Sequence, residues 1–219
     1  MGLFHESEYN NFDESYFRRA KLDGPRGGYG KYDSVEGAGG VDYDTFIEEV
    51  DTLTGSDPTL LIVGCGTGVT VRGLRSESED IDDAYGMDIS EWAIENHAPG
   101  ISQNLIQGDA RNPDDFEDAK DEWNINQAFD VIYTEFVLSH YDDDSARTIH
   151  QNCIDYVSHG GQQRGTVIHR MFSGTGHDWE TEWFNLKTIA EWQDTMSDID
   201  PDGVTVYWID YDRPEDSTI

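Results

Sequence analysis

The chain has 219 residues, of which 36% are hydrophobic and 12% aromatic. That is enough for one domain with a sizeable core, short for two, and too apolar for a disordered tail. With 46 acidic residues against 14 basic, the formal net charge is −32, which argues against unaided nucleic-acid binding, because phosphate contacts need Lys and Arg.

Residues 1–57 read as a segment preceding the main domain, which the sequence places at 58–219. Phe4, Tyr9, Phe12, Tyr16 and Phe17 lead into a glycine-rich stretch around Gly27, Gly28, Tyr29 and Gly30. Tyr43, Phe46, Ile47, Val50 and Leu53 fall on one face of a helix, and Gly55 suits the position just past its end. From residue 59 strands and helices alternate. Leu60-Leu61-Ile62-Val63 is a continuous apolar run, as expected for a strand covered on both faces. Further strands are predicted at 84–87, 104–107, 129–133, 165–168 and 204–209. Helices are predicted near 68–75, 90–97, 113–119, 143–157 and 186–196. Alternating strand–helix units imply an α/β fold with a doubly wound, mostly parallel sheet.

Four strand exits carry chemistry. After the first strand stands Gly64-Cys65-Gly66-Thr67-Gly68, whose glycines let the chain turn sharply and a ligand approach the backbone. The dinucleotide fingerprint G-x-G-x-x-G would need glycine where Val69 stands, which leans away from a nicotinamide-dependent oxidoreductase. Asp88, at the end of the second strand, can accept hydroxyl hydrogens from a ribose. Asp109 and Ala110 follow the third strand. Glu135 follows the fourth, in Thr134-Glu135-Phe136-Val137-Leu138-Ser139-His140.

Together these segments resemble the motifs of class I S-adenosylmethionine-dependent methyltransferases, over roughly residues 58–170. The resemblance implies a Rossmann-like fold and S-adenosylmethionine as cofactor. It sets Gly64, Cys65, Gly66, Thr67 and Gly68 against the methionine portion, Asp88 on the ribose, and Ile89, Asp109 and Ala110 near the adenine. Glu135 to His140 is similar to a stretch common in members that modify small molecules and glycans, so an acceptor of that kind is expected. His140 is a candidate general base, since histidine takes up protons near neutral pH. Tyr29 is a candidate cofactor contact in a lid. The family's sheet usually ends in an antiparallel hairpin, yet only one strand is legible after residue 196. The sequence therefore predicts either a reduced C-terminal strand set or a strand concealed around 172–183. A catalytically silent, methyltransferase-like interaction module is the main rival reading.

The remaining expectations are plain ones. His169 and His177 are read as structural, and Trp179, Trp183 and Trp192 as either pocket wall or core. Asp142-Asp143-Asp144 is read as a helix cap rather than a metal site. Cys65 and Cys153 suggest no disulfide framework or zinc site. No apolar run reaches the ~20 residues of a membrane helix, and no basic-then-apolar leader is visible, so a cytoplasmic protein is expected. The acids are dispersed along the chain rather than gathered in one patch, which suits a salt-rich cytoplasm, that of a halophile or its virus.

Overall fold

The computed structural model describes residues 58–77, 81, 83–157, 165–172 and 185–211. The predicted helix over Tyr43–Leu53, and Tyr29, His177, Trp179 and Trp183, lie outside the described residues. The strands are β1 (Leu60–Val63), β2 (Ala84–Asp88), β3 (Leu105–Gln107), β4 (Val131–Glu135), β5 (Gly165–Phe172) and β6 (Val204–Tyr211). Between them run α1 (Val69–Glu77), α2 (Glu91–Glu95), α3 (Pro113–Glu122), α4 (Asp143–Tyr156) and α5 (Ile189–Thr195). The strands form one six-stranded sheet in the order β3-β2-β1-β4-β5-β6, and every described pairing is parallel.

The period-2 alternation of the strands explains why both faces are covered. Leu61 and Val63 of β1 enter one core with Ile132, Val167, Phe116 of α3 and Ile149 and Cys153 of α4. Leu60 and Ile62 point the other way, into a second core with Val131, Tyr133, Ile168 and Val69, Val71 and Leu74 of α1. All four residues of β1 are buried, as the unbroken apolar run predicts.

Helix starts follow from short polar side chains that satisfy orphan N–H groups. Ser90 accepts from the Ala93 N–H, Asn112 from Asp114 with Pro113 in the first turn, and Asp142 from Ser145. Thr188 and Glu191 form a reciprocal capping box at α5. The Asp142–Asp144 run thus opens α4, as expected. Trp192 is fully buried in α5 and belongs to the core.

Where the sequence left two alternatives for the C-terminal half, β6 lies directly beside β5 and parallel to it, from Gly165 opposite Val204 to Phe172 opposite Tyr211. Among the described residues no antiparallel strand joins the sheet, and residues 173–184 lie outside them. No described helix is long and apolar enough to cross a membrane.

Candidate functional site

In this strand order the chain leaves β1 toward β2 on one side, while β4 and β5 extend the other, so the carboxyl ends of β1 and β4 flank a topological switch point. The predicted residues gather at those ends. Gly64, Gly66 and Gly68 all adopt left-handed φ, at 74°, 54° and 75°, where a side chain would be strained. Gly64 is doubly constrained, because a Cβ there would collide with Val137 Cγ2. The loop after β4 is thereby pressed against the loop after β1.

Asp88 ties the second strand to this loop. One carboxylate oxygen accepts the Gly66 N–H at 2.7 Å and the other accepts the Ser90 N–H at 2.8 Å. Burial pushes the carboxyl up from its ordinary value, and the two N–H donors partly bring it back. The third exit is joined to the second through the Gly108 N–H, which donates to the Asp88 carbonyl at 2.9 Å. Ile89 is half-buried, and its carbonyl accepts from Gln107 Nε2.

Asp109 is turned toward its own loop. Arg111 Nε donates to both its oxygens at 3.0 Å, and Arg111 Nη2 lies 2.6 Å from Oδ2. The Arg111 guanidinium in turn lies over the Tyr141 ring, 5.5 Å from its centroid. Ala110 is buried and its carbonyl accepts from Asn152 Nδ2 of α4 at 2.9 Å. The Cys65 thiol is buried, and burial and the Asp88 charge push it far above its ordinary value, which makes it a poor nucleophile. Thr67 Oγ1 is buried and has no hydrogen-bond partner among the described residues.

Glu135 closes β4. It is 7% exposed, accepts from Thr70 Oγ1 in the first turn of α1 at 3.4 Å, and faces Arg170 Nη1 of β5 at 3.4 Å. Burial pushes its carboxyl up to about 7, with Arg170 and then Thr70 opposing. The next residue, Phe136, has φ 59°, a conformation that costs a bulky residue on the order of 1–3 kcal/mol. Its N–H donates to the Arg170 carbonyl at 2.9 Å. His140 sits in the 3-10 turn Leu138–His140. Burial holds its imidazole down to about 4, so it is neutral at physiological pH and a weak base.

Behind β4 runs a polar chain that sequence reasoning missed. His169 Nδ1 lies 2.7 Å from Thr134 Oγ1, and His169 Nε2 lies 2.8 Å from His150 Nδ1 of α4. Both imidazoles are buried and held below their ordinary values chiefly by that burial. They bridge α4 to the strand end that carries Glu135. His169 is therefore structural, as expected, but it serves the site's framework. Arg170 and Thr70 were missed as well. Their only sequence signal was a charge and a hydroxyl placed where apolar residues would otherwise continue.

Residues 61–162 match the sequence profile described as a methyltransferase domain. No curated protein matches the sequence. Among solved structures, the magnesium protoporphyrin IX methyltransferase of Synechocystis PCC 6803 with bound S-adenosylmethionine is 16% identical, with TM-score 0.50 over 88% of this chain and 82% of that one. An amino pentose methyltransferase from Micromonospora echinaspora is 16% identical, with TM-score 0.42 over 54% of this chain and 46% of its own. A complex of the Haloferax volcanii Trm112 methyltransferase activator with a methyltransferase gives 14% identity and TM-score 0.48, over 69% of this chain and 66% of that one. The chain spans about half the length of the amino pentose enzyme (46%). Residues 61–162 are thus similar to a methyltransferase domain, and the parallel six-stranded sheet has the Rossmann-like fold.

Proposed function

We propose that the protein is an S-adenosylmethionine-dependent methyltransferase acting on a small-molecule or glycan acceptor. The observation that carries this reading is the contact of the Asp88 carboxylate with the Gly66 N–H at 2.7 Å, which joins the strand-end acid and the glycine loop into one cradle. The residues fit a nucleoside with an amino-acid tail. Each Asp88 oxygen uses one lone pair on a backbone N–H and retains capacity for a ribose hydroxyl. Gly64, Gly66 and Gly68 keep side chains out of the approach, and Thr67 Oγ1 is a buried hydroxyl with no partner among the described residues.

When bound, S-adenosylmethionine supplies a methyl group already activated for transfer. What the chain must do is orient the acceptor and exclude water. Val137, Leu138 and Tyr141, all buried, form an apolar floor after β4. His140, neutral at physiological pH, would receive a proton only from an acceptor that loses it easily, so positioning carries more of the task than base catalysis. The acceptor class rests on the likeness of Glu135–His140 to members modifying small molecules and glycans, and the dispersed acidic charge supports a halophilic, cytoplasmic setting. We assign to residues 24–32, with Tyr29, the role of a lid over the crevice.

One thermal-shift series tests both readings. A saturating S-adenosylhomocysteine concentration, about 100 times its dissociation constant, should stabilise the full chain by roughly 2.7 kcal/mol and raise its melting temperature by about 5–10 °C. NAD should not. Deleting residues 1–32 should reduce the shift while the domain stays folded, and Tyr29→Ala should reproduce part of that loss. No shift with the full chain contradicts the cofactor assignment, and an undiminished shift in the truncation contradicts the lid.

A further inference from the structure

We propose that Thr134, His169 and His150 form a one-proton switch, a directional hydrogen-bond chain that reverses when the two imidazoles together take up a proton and then releases the Thr134 hydroxyl at the carboxyl end of β4. The switch goes beyond the methyl-transfer reading and does not depend on it, because protein groups alone set the direction of the chain.

Thr134 of β4 and His169 of β5 are register partners, and Trp208 of β6 stands opposite His169. His150 of α4 covers this row, its ring centroid 5.0 Å from that of His169 and 5.7 Å from that of Trp208. Thr134 and His169 are fully buried, and His150 is nearly so. Two contacts run along the row, Thr134 Oγ1 to His169 Nδ1 at 2.7 Å and His169 Nε2 to His150 Nδ1 at 2.8 Å. Each contact holds one hydrogen, and a neutral imidazole offers one donor and one acceptor. Only two directions therefore satisfy both contacts. The Thr134 hydroxyl decides between them, because its contact with His169 is the one it has among the described residues. In the forward direction the hydroxyl donates to His169 Nδ1, and His169 Nε2–H donates to His150 Nδ1. In the reverse direction His169 donates to Thr134, whose own hydrogen is left without an acceptor in a dry core, a costly state. The neutral protein takes the forward direction, with the hydrogen of each imidazole on Nε2.

One added proton undoes this order. The charge settles on His150, the less deeply buried of the two rings. A doubly protonated His150 donates from Nδ1, so the hydrogen of His169 moves from Nε2 to Nδ1 and points at Thr134. The Thr134 hydroxyl keeps its hydrogen and turns it away, so the balance is one proton in and nothing else exchanged. The released hydroxyl lies one residue before Glu135 and two before the left-handed Phe136, and it loosens that strand end. The groups around the pair keep it neutral at physiological pH. Burial lowers both rings, His150 to about 4, and Arg147, one turn earlier on α4, opposes a charge on His150. Arg147 is itself held by the Thr195 carbonyl and Asp198 beyond α5. Cys153 of α4 shares the same core, and burial holds its thiol neutral. Glu135 and Arg170, the next residues in β4 and β5, project from the opposite face of the sheet. Unfolding returns His150 to its ordinary value of 6.5, so this part of the stability is complete above about 6.5 and is lost as pH falls toward about 4.

Nitrogen-15 NMR of the full chain in molar potassium chloride, titrated from neutral pH down to about 3.5, reads which ring nitrogen carries hydrogen. At neutral pH both rings should carry it on Nε2. On acidification His150 should gain Nδ1–H while His169 moves its hydrogen to Nδ1, the two changes sharing one midpoint. T134V removes the hydroxyl that opposes reversal, so the midpoint should rise by about half to one pH unit. Hydrogen exchange, corrected for its intrinsic pH dependence, should show the Phe136 amide, which donates to the Arg170 carbonyl, losing about tenfold or more of its protection across the same step. Should T134V fail to fold, H150N supplies an acceptor that takes up no proton. It should hold His169 in the Nε2–H form and keep the Phe136 amide protected throughout. His169 carrying its hydrogen on Nδ1 at neutral pH, a midpoint that T134V leaves in place, or the same change of tautomer in H150N as in the wild type overturns the switch.

Discussion

Asp88→Ala is expected to weaken S-adenosylhomocysteine binding by roughly ten- to a hundredfold, the largest effect among the acids of the site. Two ribose hydroxyls on one carboxylate are worth about 1.5–3 kcal/mol as charge-assisted hydrogen bonds. The substitution also strips the Gly66 and Ser90 N–H groups of their acceptor, so the glycine loop loses its tie to β2. Some loss of stability should accompany the loss of affinity, and denaturant unfolding alongside calorimetry separates the two. Asp109→Ala should have a smaller effect, because that carboxylate is already engaged by Arg111. Equal affinity for wild type and a folded Asp88→Ala variant would remove Asp88 from the site.

Stability is expected to depend steeply on salt. The formal charge of −32 is borne by dispersed surfaces such as α3, where Asp114, Glu117, Asp118, Asp121 and Glu122 are exposed and Phe116 and Ala119 face inward. Lys120 answers only one of them, Glu117, at 3.2 Å. Raising ionic strength from 0.1 to 1 M shortens the screening length from about 10 to about 3 Å, below the spacing of most like charges on such a surface. Relieving the self-repulsion favours the compact state. Because each kcal/mol shifts the melting temperature of a chain this size by about 2–4 °C, a rise on the order of 10 °C between dilute buffer and molar potassium chloride is expected. A melting temperature indifferent to salt would contradict the halophilic reading.

How far the sequence reveals the fold depends on what each strand does at its end. β1 was legible to the residue, because Leu60–Val63 is wholly apolar and ends at a glycine. β4 and β5 were read as 129–133 and 165–168 but run to Glu135 and Phe172. The missed positions Thr134, Glu135, His169 and Arg170 are polar, and an apolar-run criterion stops at them. They remain in their strands because each finds a buried partner across the sheet, Thr134 with His169 and Glu135 with Arg170. Those partners lie 35 residues apart in sequence, so nothing local announces them. These polar positions stand at or beside the candidate site at the carboxyl ends of β4 and β5. The glycine loop and Asp88 were legible because their constraint is local, a sharp turn and an acid at a strand end. The parallel placement of β6 beside β5 was not, since it depends on pairing across residues 173–203.

The measurement that bears most directly on the central claim is a crystal structure of the full chain grown with S-adenosylhomocysteine in molar salt. The account predicts the nucleoside in the crevice at the carboxyl ends of β1 and β4, both ribose hydroxyls within hydrogen-bond distance of Asp88, and the amino-acid end beside the Gly64–Gly68 loop. Saturated crystals with that crevice empty, or with the nucleoside bound away from Asp88 and the glycine loop, would contradict it.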